Sequence, residues 1–437
     1  MTSQRIAYVT SGTAGMFCGS CLRDNALAAA LRAAGRDIVL VPTFTPLQTE
    51  THDQSLDRVF LGGINLYLAE KWRWWSRLPT AWRRPLDHPA LLRALSALAL
   101  ESRRDEDAAL SISLMRGIDG RQRSEIETLV HWLADDLRPD LINVSNLFVA
   151  GFVPLLKTRH NIPVLVTLQG DELFLDDVRP EDRDAVLAEM RRVAQGCDGY
   201  IVFSHFYRDF IAELLDLPLD RFHIVPLGLE SPENFVPTAK TVPTAKTVQR
   251  PLTLGFLARI YPGKGLHLLV DAFLELRRTR FPNLQLAVGG WLGRADRPYF
   301  EEQVQKLEQA GALDAFRHVA LPDRASKAEF LHRLDLFCVP VTYPEQKGLY
   351  ALEALAASVP VVLPEVGAFP EILAETGGGR LVPAGDASAL VSCLGDLLDD
   401  PAERRRLGEE GRRGALATRH AQTMAERTWQ VYEEFWA

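Results

Sequence analysis

The sequence has few cysteines, no long hydrophobic run and no recognisable leader. Its 437 residues include five cysteines, an odd number of which three are isolated along the chain, so we expect no disulfide framework. No apolar stretch approaches the roughly 18 residues that a membrane-spanning helix needs. The first residues, MTSQRIAYVTSG, lack the basic region and apolar core of a signal peptide. Together these absences predict a cytoplasmic protein.

An excess of basic residues is also missing. The formal net charge is −8, and nucleic-acid binding usually leaves a basic footprint on a chain. We therefore expect no nucleic-acid partner. The composition, 47% hydrophobic and 24% charged, is that of an ordinary globular protein, and the length favours two domains over one.

Short β-branched runs alternate with longer helical patterns along most of the chain. Six such runs occupy the first half, at residues 5–10, 37–42, 141–144, 164–168, 200–204 and 223–228. Five more follow, at residues 252–257, 284–290, 318–321, 334–340 and 359–364. Apolar strands that alternate with helices favour parallel sheets covered on both faces. We predict two doubly wound α/β domains in tandem, spanning residues 1–230 and 251–415.

The segments that follow each predicted domain differ in character. Residues 231–250 contain VPTAKTVPTAKTV, a six-residue unit repeated in tandem, which predicts a flexible junction loop rather than a functional element. The last segment, residues 416–437, places Trp429, Tyr432 and Trp436 at helical spacing on one apolar face. That helix must pack either on the second domain or against the first.

The strongest chemical signal is the stretch LARIYPGKGLHLLVDAF, residues 257–273. Arg259 follows a predicted strand, and Lys264 lies between two glycines at the start of a helix. Two cations beside free helix N–H groups form a site for a phosphate or a pyrophosphate. A P-loop is excluded because Gly265 stands where that motif requires serine or threonine. The alternative is that both cations are solvated loop residues.

A second stretch, YPEQKGLYALEALAASVPVV, carries Glu345 and Glu353 with seven residues between them. Carboxylates accept hydrogen bonds from vicinal hydroxyls, so a sugar or a ribose suits both positions. Backbone amides around Gly348 and Leu349 start a helix and can face an anion. The alternative is a surface glutamate followed by an ordinary helical one.

Both stretches together resemble the retaining glycosyltransferases of family 4, which have the GT-B fold. The resemblance extends over most of the chain and includes VTLQGDE, VFSHFYRDF, IVPLGLE and VGAFPEILAETGGGRLVPAGD. It implies two Rossmann-like domains that face each other across a cleft, with the C-terminal helix crossing back to the N-terminal domain. It also implies a nucleotide-sugar donor on the C-terminal domain, an acceptor on the N-terminal one, and no metal or other cofactor.

The resemblance assigns roles to residues of the two stretches. Arg259 and Lys264 match the pair that neutralises the donor diphosphate, and Glu345 matches the glutamate near the donor sugar hydroxyls. Glu353 matches the residue that binds the nucleotide ribose. A UDP-sugar is the expected donor, with GDP-mannose as the alternative, and the acceptor is a glycan, a lipid-linked saccharide or a small molecule. The resemblance implies that same-face attack retains the anomeric configuration and that the leaving phosphate takes the acceptor's proton.

Two positions depart from the family pattern. Gln169 stands where many members carry a histidine that lines the cleft, and glutamine cannot carry a proton. We interpret it as a subfamily variation at a substrate-binding position, with a weak or inactive nucleotide-sugar-binding relative as the alternative. Lys347 replaces an aromatic residue of many relatives, and it either adds a cation near the donor or is solvated.

A tryptophan-rich stretch, EKWRWWSRLPTAWRR, concentrates four of the eight tryptophans in the first domain. Tryptophan and arginine together are typical of a membrane interface or of a stacked sugar. One hypothesis is that the segment between Trp72 and Arg84 docks a lipid-linked acceptor or the inner membrane face. The alternative, which we favour slightly, is that the tryptophans pack in the core.

Cys18 and Cys21 form a C-x-x-C pair in SGTAGMFCGSC, the loop after the first predicted strand. A thiol redox centre at a helix start has this spacing, whereas a zinc site needs four ligands and no second such pair exists. Under the two-domain interpretation the loop faces the cleft, and its glycines, Gly15 among them, let the backbone approach the substrate. A thiol oxidoreductase is the least favoured of the functions considered.

Overall fold

The computed structural model describes residues 4–11, 19–47, 52–56, 58–61, 68, 104–236, 250–321 and 323–436. The chain forms two compact units, Met1–Pro226 together with Ala421–Ala437, and Leu227–His420. Predictions for Gly15, for Cys18, for the segment between Trp72 and Arg84 and for repeat residues 237–248 fall outside the described residues and stay predictions. No helix in the described ranges has the length and apolarity needed to span a bilayer.

The first unit contains a six-stranded parallel sheet in the order β2-β1-β3-β4-β5-β6. Its strands are β1 (Arg5–Thr10), β2 (Asp37–Pro42), β3 (Leu141–Val144), β4 (Val164–Thr167), β5 (Gly199–Val202) and β6 (Phe222–Ile224). The helices described between them are α1 (Gly19–Ala33), α2 (Arg104–Met115), α3 (Arg123–His131), α4 (Val153–Arg159), α5 (Phe174–Asp177), α6 (Pro180–Gln195) and α7 (His205–Leu215). The central strands β3, β4 and β5 are buried along their whole length.

The second unit contains a parallel sheet in the order β12-β11-β10-β7-β8-β9. Its strands are β7 (Thr253–Leu257), β8 (Gln285–Gly289), β9 (Phe316–Val319), β10 (Leu336–Cys338), β11 (Val361–Pro364) and β12 (Gly379–Val382). Its helices are α8 (Leu266–Thr279), α9 (Arg297–Gln309), α10 (Arg324–His332), α11 (Leu349–Ala356), α12 (Phe369–Thr376), α13 (Ala387–Asp399) and α14 (Pro401–Thr418). The sequence does not predict β12, because this edge strand reads GRLV and three of its four residues are only partly buried.

The last helix, α15 (Ala421–Glu433), belongs to the first unit although it follows the second in the chain. It packs against α1, with Trp429 and Tyr432 buried on its apolar face. The guanidinium of Arg36 lies 4.3 Å from the centre of the Trp429 ring. Phe435 fills the space above Gly199, where any side chain would collide with its ring. The helix begins at Ala421, and residues up to His420 belong to the second unit.

The first unit also contains a buried charged cluster between β1 and α1. Arg23 is fully buried, and its Nη1 donates to the Tyr8 hydroxyl at 2.6 Å and to Asp24 Oδ1 at 3.3 Å. The hydroxyls of Tyr8 and Thr10 donate to the Asp24 carboxylate at 2.8 and 3.0 Å. Burial raises the pKa of the Asp24 carboxyl, and the charge of Arg23 opposes that rise. The cation and the hydroxyls therefore compensate a carboxylate that is removed from water.

Replacing Arg23 with methionine should lower the free energy of unfolding by about 3–5 kcal/mol, because the Asp24 carboxylate would stay buried without its cation. Urea unfolding followed by circular dichroism measures the loss. The matched control is Arg5→Met, since the Arg5–Asp37 pair is substantially exposed and is worth about 1 kcal/mol or less. Equal destabilisation by the two substitutions would contradict the compensation argument.

Candidate active site

Two neighbouring strands of the second unit bring Lys264 and Glu345 together. β7 and β10 are adjacent in the sheet, and their carboxyl ends lead into the turn Pro262–Lys264 and into the loop that carries Glu345. Lys264 Nζ forms an ion pair with Glu345 Oε2 and donates a hydrogen bond to the Tyr343 hydroxyl at 2.5 Å. The lysine side chain is 11% exposed and the glutamate side chain 5%. Residues that the sequence places in two separate stretches thus form one buried pair.

Glu345 is held as an ionised hydrogen-bond acceptor. The hydroxyls of Tyr343 and Tyr350 donate to its Oε2 at 3.1 and 2.9 Å, and the Lys347 amide donates to its Oε1 at 3.2 Å. Burial alone would raise the pKa of this carboxyl, but the Lys264 ammonium and the Tyr350 hydroxyl lower it to about 2. Glu345 is therefore a carboxylate at neutral pH, suited to accept hydrogen bonds from hydroxyls and unsuited to donate a proton.

Arg259 lies just beyond the carboxyl end of β7 and is about half exposed. Its guanidinium lies 5.3 Å from the centre of the Tyr261 ring and 5.2 Å from that of the Trp291 ring. One nitrogen is 3.4 Å from Asp296 Oδ2. The two rings and the carboxylate hold a solvent-accessible cation in place, which suits it to meet an anion without rearrangement.

Three cations act on this small region. Burial lowers the pKa of the Lys264 ammonium, Glu345 raises it, and the positive charges of Lys347 and Arg259 lower it further. The cations therefore outnumber the Glu345 carboxylate, although Arg259 also has Asp296 as a partner. A region of positive charge at the ends of parallel strands is suited to a phosphate or a diphosphate.

Gly265 and Gly367 allow the backbone segments of the site to approach each other. Both adopt left-handed conformations, with φ of +73° and +62°. A side chain at Gly265 would overlap the Pro340 carbonyl, and one at Gly367 would overlap the backbone of Glu345. The Ala368 amide donates to the Glu345 carbonyl at 2.7 Å. These close approaches fix the main chain on which the ion pair depends.

The second carboxylate lies on α11. Gly348, with φ of +60°, precedes this helix, which begins at Leu349. Glu353 is 6% exposed, and its Oε1 accepts a hydrogen bond from Lys327 Nζ at 2.6 Å. The structure therefore places Glu353 in a buried ion pair with a lysine from another helix.

Lys327 is a residue that the sequence analysis missed. It lies on α10 and shares a buried face with Phe330 and Leu331. A lysine is almost never buried unless it is paired. Its position on the apolar face was thus a signal for a buried acidic partner, although the sequence could not say which acid.

Gln169 lies in the first unit, just beyond the end of β4. Its Nε2 donates to Asp24 Oδ1 at 3.1 Å and to the Ser145 carbonyl at 3.2 Å. Its Oε1 is buried and has no hydrogen-bond partner among the described residues. Gln169 therefore joins the buried cluster of Arg23 and Asp24, while the other described candidates lie in the second unit.

The contribution of Glu345 to stability should depend on pH with a defined sign. The pKa of its carboxyl is about 2 in the folded protein and 4.5 in the unfolded chain. The ionised carboxylate therefore stabilises the fold above the unfolded pKa, and this stabilisation is lost as the pH falls toward the folded pKa. We expect Glu345→Gln to be less stable than the wild type at neutral pH. The gap in urea midpoint should shrink as the pH is lowered from about 5 to about 3.

The control for this titration is Glu275→Gln, which removes a carboxylate from an exposed pair with Arg278. Exposed pairs contribute little, so this variant should follow the wild type at every pH. A gap between wild type and Glu345→Gln that does not change with pH would contradict the lowered pKa of Glu345.

Family descriptions match both parts of the chain. A "Glycosyl transferase 4-like domain" matches residues 24–228, and "Glycosyl transferases group 1" matches residues 243–414, so together they account for well over half of the sequence. The chain is 31% identical over 216 residues to an MMP alpha-(1->4)-mannosyltransferase of Mycolicibacterium hassiacum. The aligned part covers 49% of each protein, so the chain spans about half the length of that relative.

Solved structures share the fold at low sequence identity. Sucrose-phosphate synthase of Thermosynechococcus elongatus superposes with a TM-score of 0.71 at 19% identity, over 99% of both chains. HepE of Anabaena, in complex with UDP, gives 0.69 at 14% identity, over 98% of this chain and 100% of the other. With the two parallel six-stranded sheets and the two family matches, the chain belongs to the group 1 glycosyltransferases of the family 4 type, which have the two-domain α/β GT-B fold.

Proposed function

We propose that this glycosyltransferase moves a sugar from a nucleotide-diphosphate sugar to a hydroxyl acceptor, with retention of the anomeric configuration and without a metal. The observation that carries the proposal is the buried Lys264–Glu345 pair, with Arg259 near enough for its charge to act on Lys264. One region thus offers fixed cations to a diphosphate and an ionised carboxylate to sugar hydroxyls.

The positive charges of Lys264 and Arg259 are opposite in sign to the charge that develops on the diphosphate when the donor bond breaks. As the bond between the anomeric carbon and the phosphate oxygen breaks, its electron pair goes to that oxygen and positive charge remains on the sugar ring. Lys264 and Arg259 would stabilise the departing diphosphate. Because the rings of Tyr261 and Trp291 already hold Arg259, this stabilisation needs little reorganisation.

Glu345 would act on the sugar side of the same bond. With its pKa lowered to about 2, it accepts hydrogen bonds from donor hydroxyls and does not serve as a general acid. The acceptor oxygen then bonds to the anomeric carbon on the face that the phosphate leaves, and the acceptor proton passes to the phosphate oxygen. This route needs no proton from a protein carboxyl, which agrees with the state of Glu345.

A UDP-sugar is the proposed donor, and GDP-mannose is the alternative. HepE, a fold neighbour, is in complex with UDP, which supports uridine, whereas the relative from M. hassiacum is named as a mannosyltransferase. The proposed acceptors are a glycan, a lipid-linked saccharide or a small molecule. We propose a cytoplasmic location. For the segment between Trp72 and Arg84, contact with the inner membrane face is the alternative to packing of its tryptophans in the core, which we favour slightly.

A nucleotide-sugar-binding protein without turnover is the second candidate. Gln169 favours it, because a glutamine cannot replace a proton-carrying histidine. Steady-state assays separate the two candidates. Release of the nucleotide from UDP-glucose or GDP-mannose supports the transferase. Binding of either donor without nucleotide release, whichever acceptors are added, supports the second candidate.

Replacing Lys264 with methionine should lower kcat for donor turnover by about 100-fold or more, because a preorganised group aimed at developing charge contributes that much. Release of UDP or GDP by the purified chain measures the loss. The matched control is Lys306→Met, which removes a lysine from an exposed pair with Asp271 in the same unit and should retain wild-type turnover. A Lys264→Met enzyme that keeps the wild-type rate would refute the assignment.

Transfer from UDP-glucose should yield an α-linked product and should continue in excess EDTA. The anomeric proton coupling of the product, read by NMR, reports the configuration, and the same reaction with and without chelator reports the metal requirement. A β-linked product would contradict retention. Loss of activity in EDTA that Mg²⁺ or Mn²⁺ restores would contradict metal-independent transfer.

A further inference from the structure

A cavity of about 270 Å³ lies at the carboxyl ends of three strands of the second unit, β10, β11 and β12. The segment from Pro340 to Pro344, which follows β10, forms one wall. The remaining lining residues come from the ends of β11 and β12 and from the helices α8 and α13. None of the described residues that we propose to bind the donor lines this cavity.

The interior of the cavity is apolar and rigid. Its buried part includes Val341, Val382 and Leu390, each at most 5% exposed. Four of the lining residues are prolines, at positions 340, 344, 364 and 383. Proline has no amide donor and a fixed φ, so these walls offer few hydrogen bonds and little freedom to collapse. A cavity of this kind holds water poorly and takes apolar ligands.

Three polar side chains line the cavity, and each already has a partner. The Thr342 hydroxyl donates to the Gly263 carbonyl at 3.4 Å, and the Asp386 carboxylate caps α13. The Tyr343 hydroxyl donates to Glu345 Oε2 at 3.1 Å. A sugar or a nucleotide placed here would lose its hydrogen bonds to water without replacing them, so the cavity suits an apolar group.

Tyr343 connects the cavity with the reacting region. It lines the cavity, and its hydroxyl accepts from Lys264 Nζ at 2.5 Å as well as donating to Glu345. The cavity wall ends at Pro344, and the next residue is Glu345 itself. In the proposed reaction Glu345 holds the donor sugar, which the acceptor oxygen attacks. A group bound in the cavity therefore lies beside the place that the acceptor must reach.

The size of the cavity indicates which part of a ligand it takes. Sites that enclose a whole small ligand measure about 300–1,000 Å³, so 270 Å³ suits one alkyl chain or one aromatic ring. We propose that the cavity binds the apolar group of the acceptor, which is then an amphiphile whose hydroxyl part extends toward Glu345. The inference rests on the proposed function, and it adds an apolar subsite on the second unit to the acceptor site expected on the first.

Paired acceptors that differ only in their apolar group test this. The pairs are n-octyl and methyl β-glucoside, and n-octyl and methyl α-mannoside, with the octyl members below their micelle concentration and UDP-glucose or GDP-mannose as donor. Acceptor-dependent release of UDP or GDP by the full chain gives kcat/KM for each acceptor. The wild type should prefer the octyl member of a pair by about tenfold or more, because each methylene removed from water raises affinity about fourfold.

The variant Ala387→Phe fills the cavity. Ala387 lines it, is exposed and lies in the first turn of α13, just after the capping Asp386. The preference should fall toward unity, whereas KM for the donor should stay at the wild-type value. Ala384→Phe, at another exposed lining position, repeats the test. The matched control is Ala402→Phe, an exposed alanine in the first turn of α14 after the capping Asp400, which should keep the preference.

The outcomes separate this inference from the function on which it rests. A wild type that releases no nucleotide with any donor and acceptor overturns both. Equal kcat/KM for the two members of every pair overturns the apolar subsite alone, and so does a preference that Ala387→Phe retains or that Ala402→Phe also loses. A preference that Ala387→Phe abolishes and Ala402→Phe keeps supports the subsite.

Discussion

The Lys264–Glu345 ion pair is the main constraint on the fold of the second unit, because both charged side chains are buried and must be in contact. The strand order of the sheet makes this contact possible, because it places β7 next to β10. Left-handed glycines then let the two loops approach, and tyrosine hydroxyls complete the coordination of the carboxylate. A buried pair is an uncertain source of stability, and its position at the strand ends agrees with the proposed roles of both charges in donor binding.

α11 connects this pair to the second one. Tyr350, in the first turn of the helix, donates to Glu345, and Glu353, one turn later, accepts from Lys327. One short helix of eight residues therefore takes part in both ion pairs. A displacement of its start at Gly348 would disturb both carboxylates together, which makes the left-handed turn at that position important for the whole site.

Much of the fold and part of the site could be predicted from the sequence. Eleven strands of the described residues overlap the predicted runs, because most of them are largely apolar, whereas the edge strand β12 has no such run. Lys264 and Glu345 could be expected near one sheet edge because each follows a strand. The pairing of Glu353 with Lys327, and that of Gln169 with Asp24 across 145 positions, depend on how helices and loops meet in space. Periodicity within one element carries no information on such contacts.

Gln169 shows how a contact in the fold changes the interpretation of a sequence difference. Its single amide nitrogen donates two hydrogen bonds, to Asp24 and to the Ser145 carbonyl. A neutral histidine has one N–H group and could not make both, and a charged one would send its two donors from opposite sides of the ring. Asp24 is buried and depends on neutral donors as well as on Arg23. The glutamine therefore has a structural role in this unit, and this role weakens the argument for lost turnover that its missing titratable proton provides.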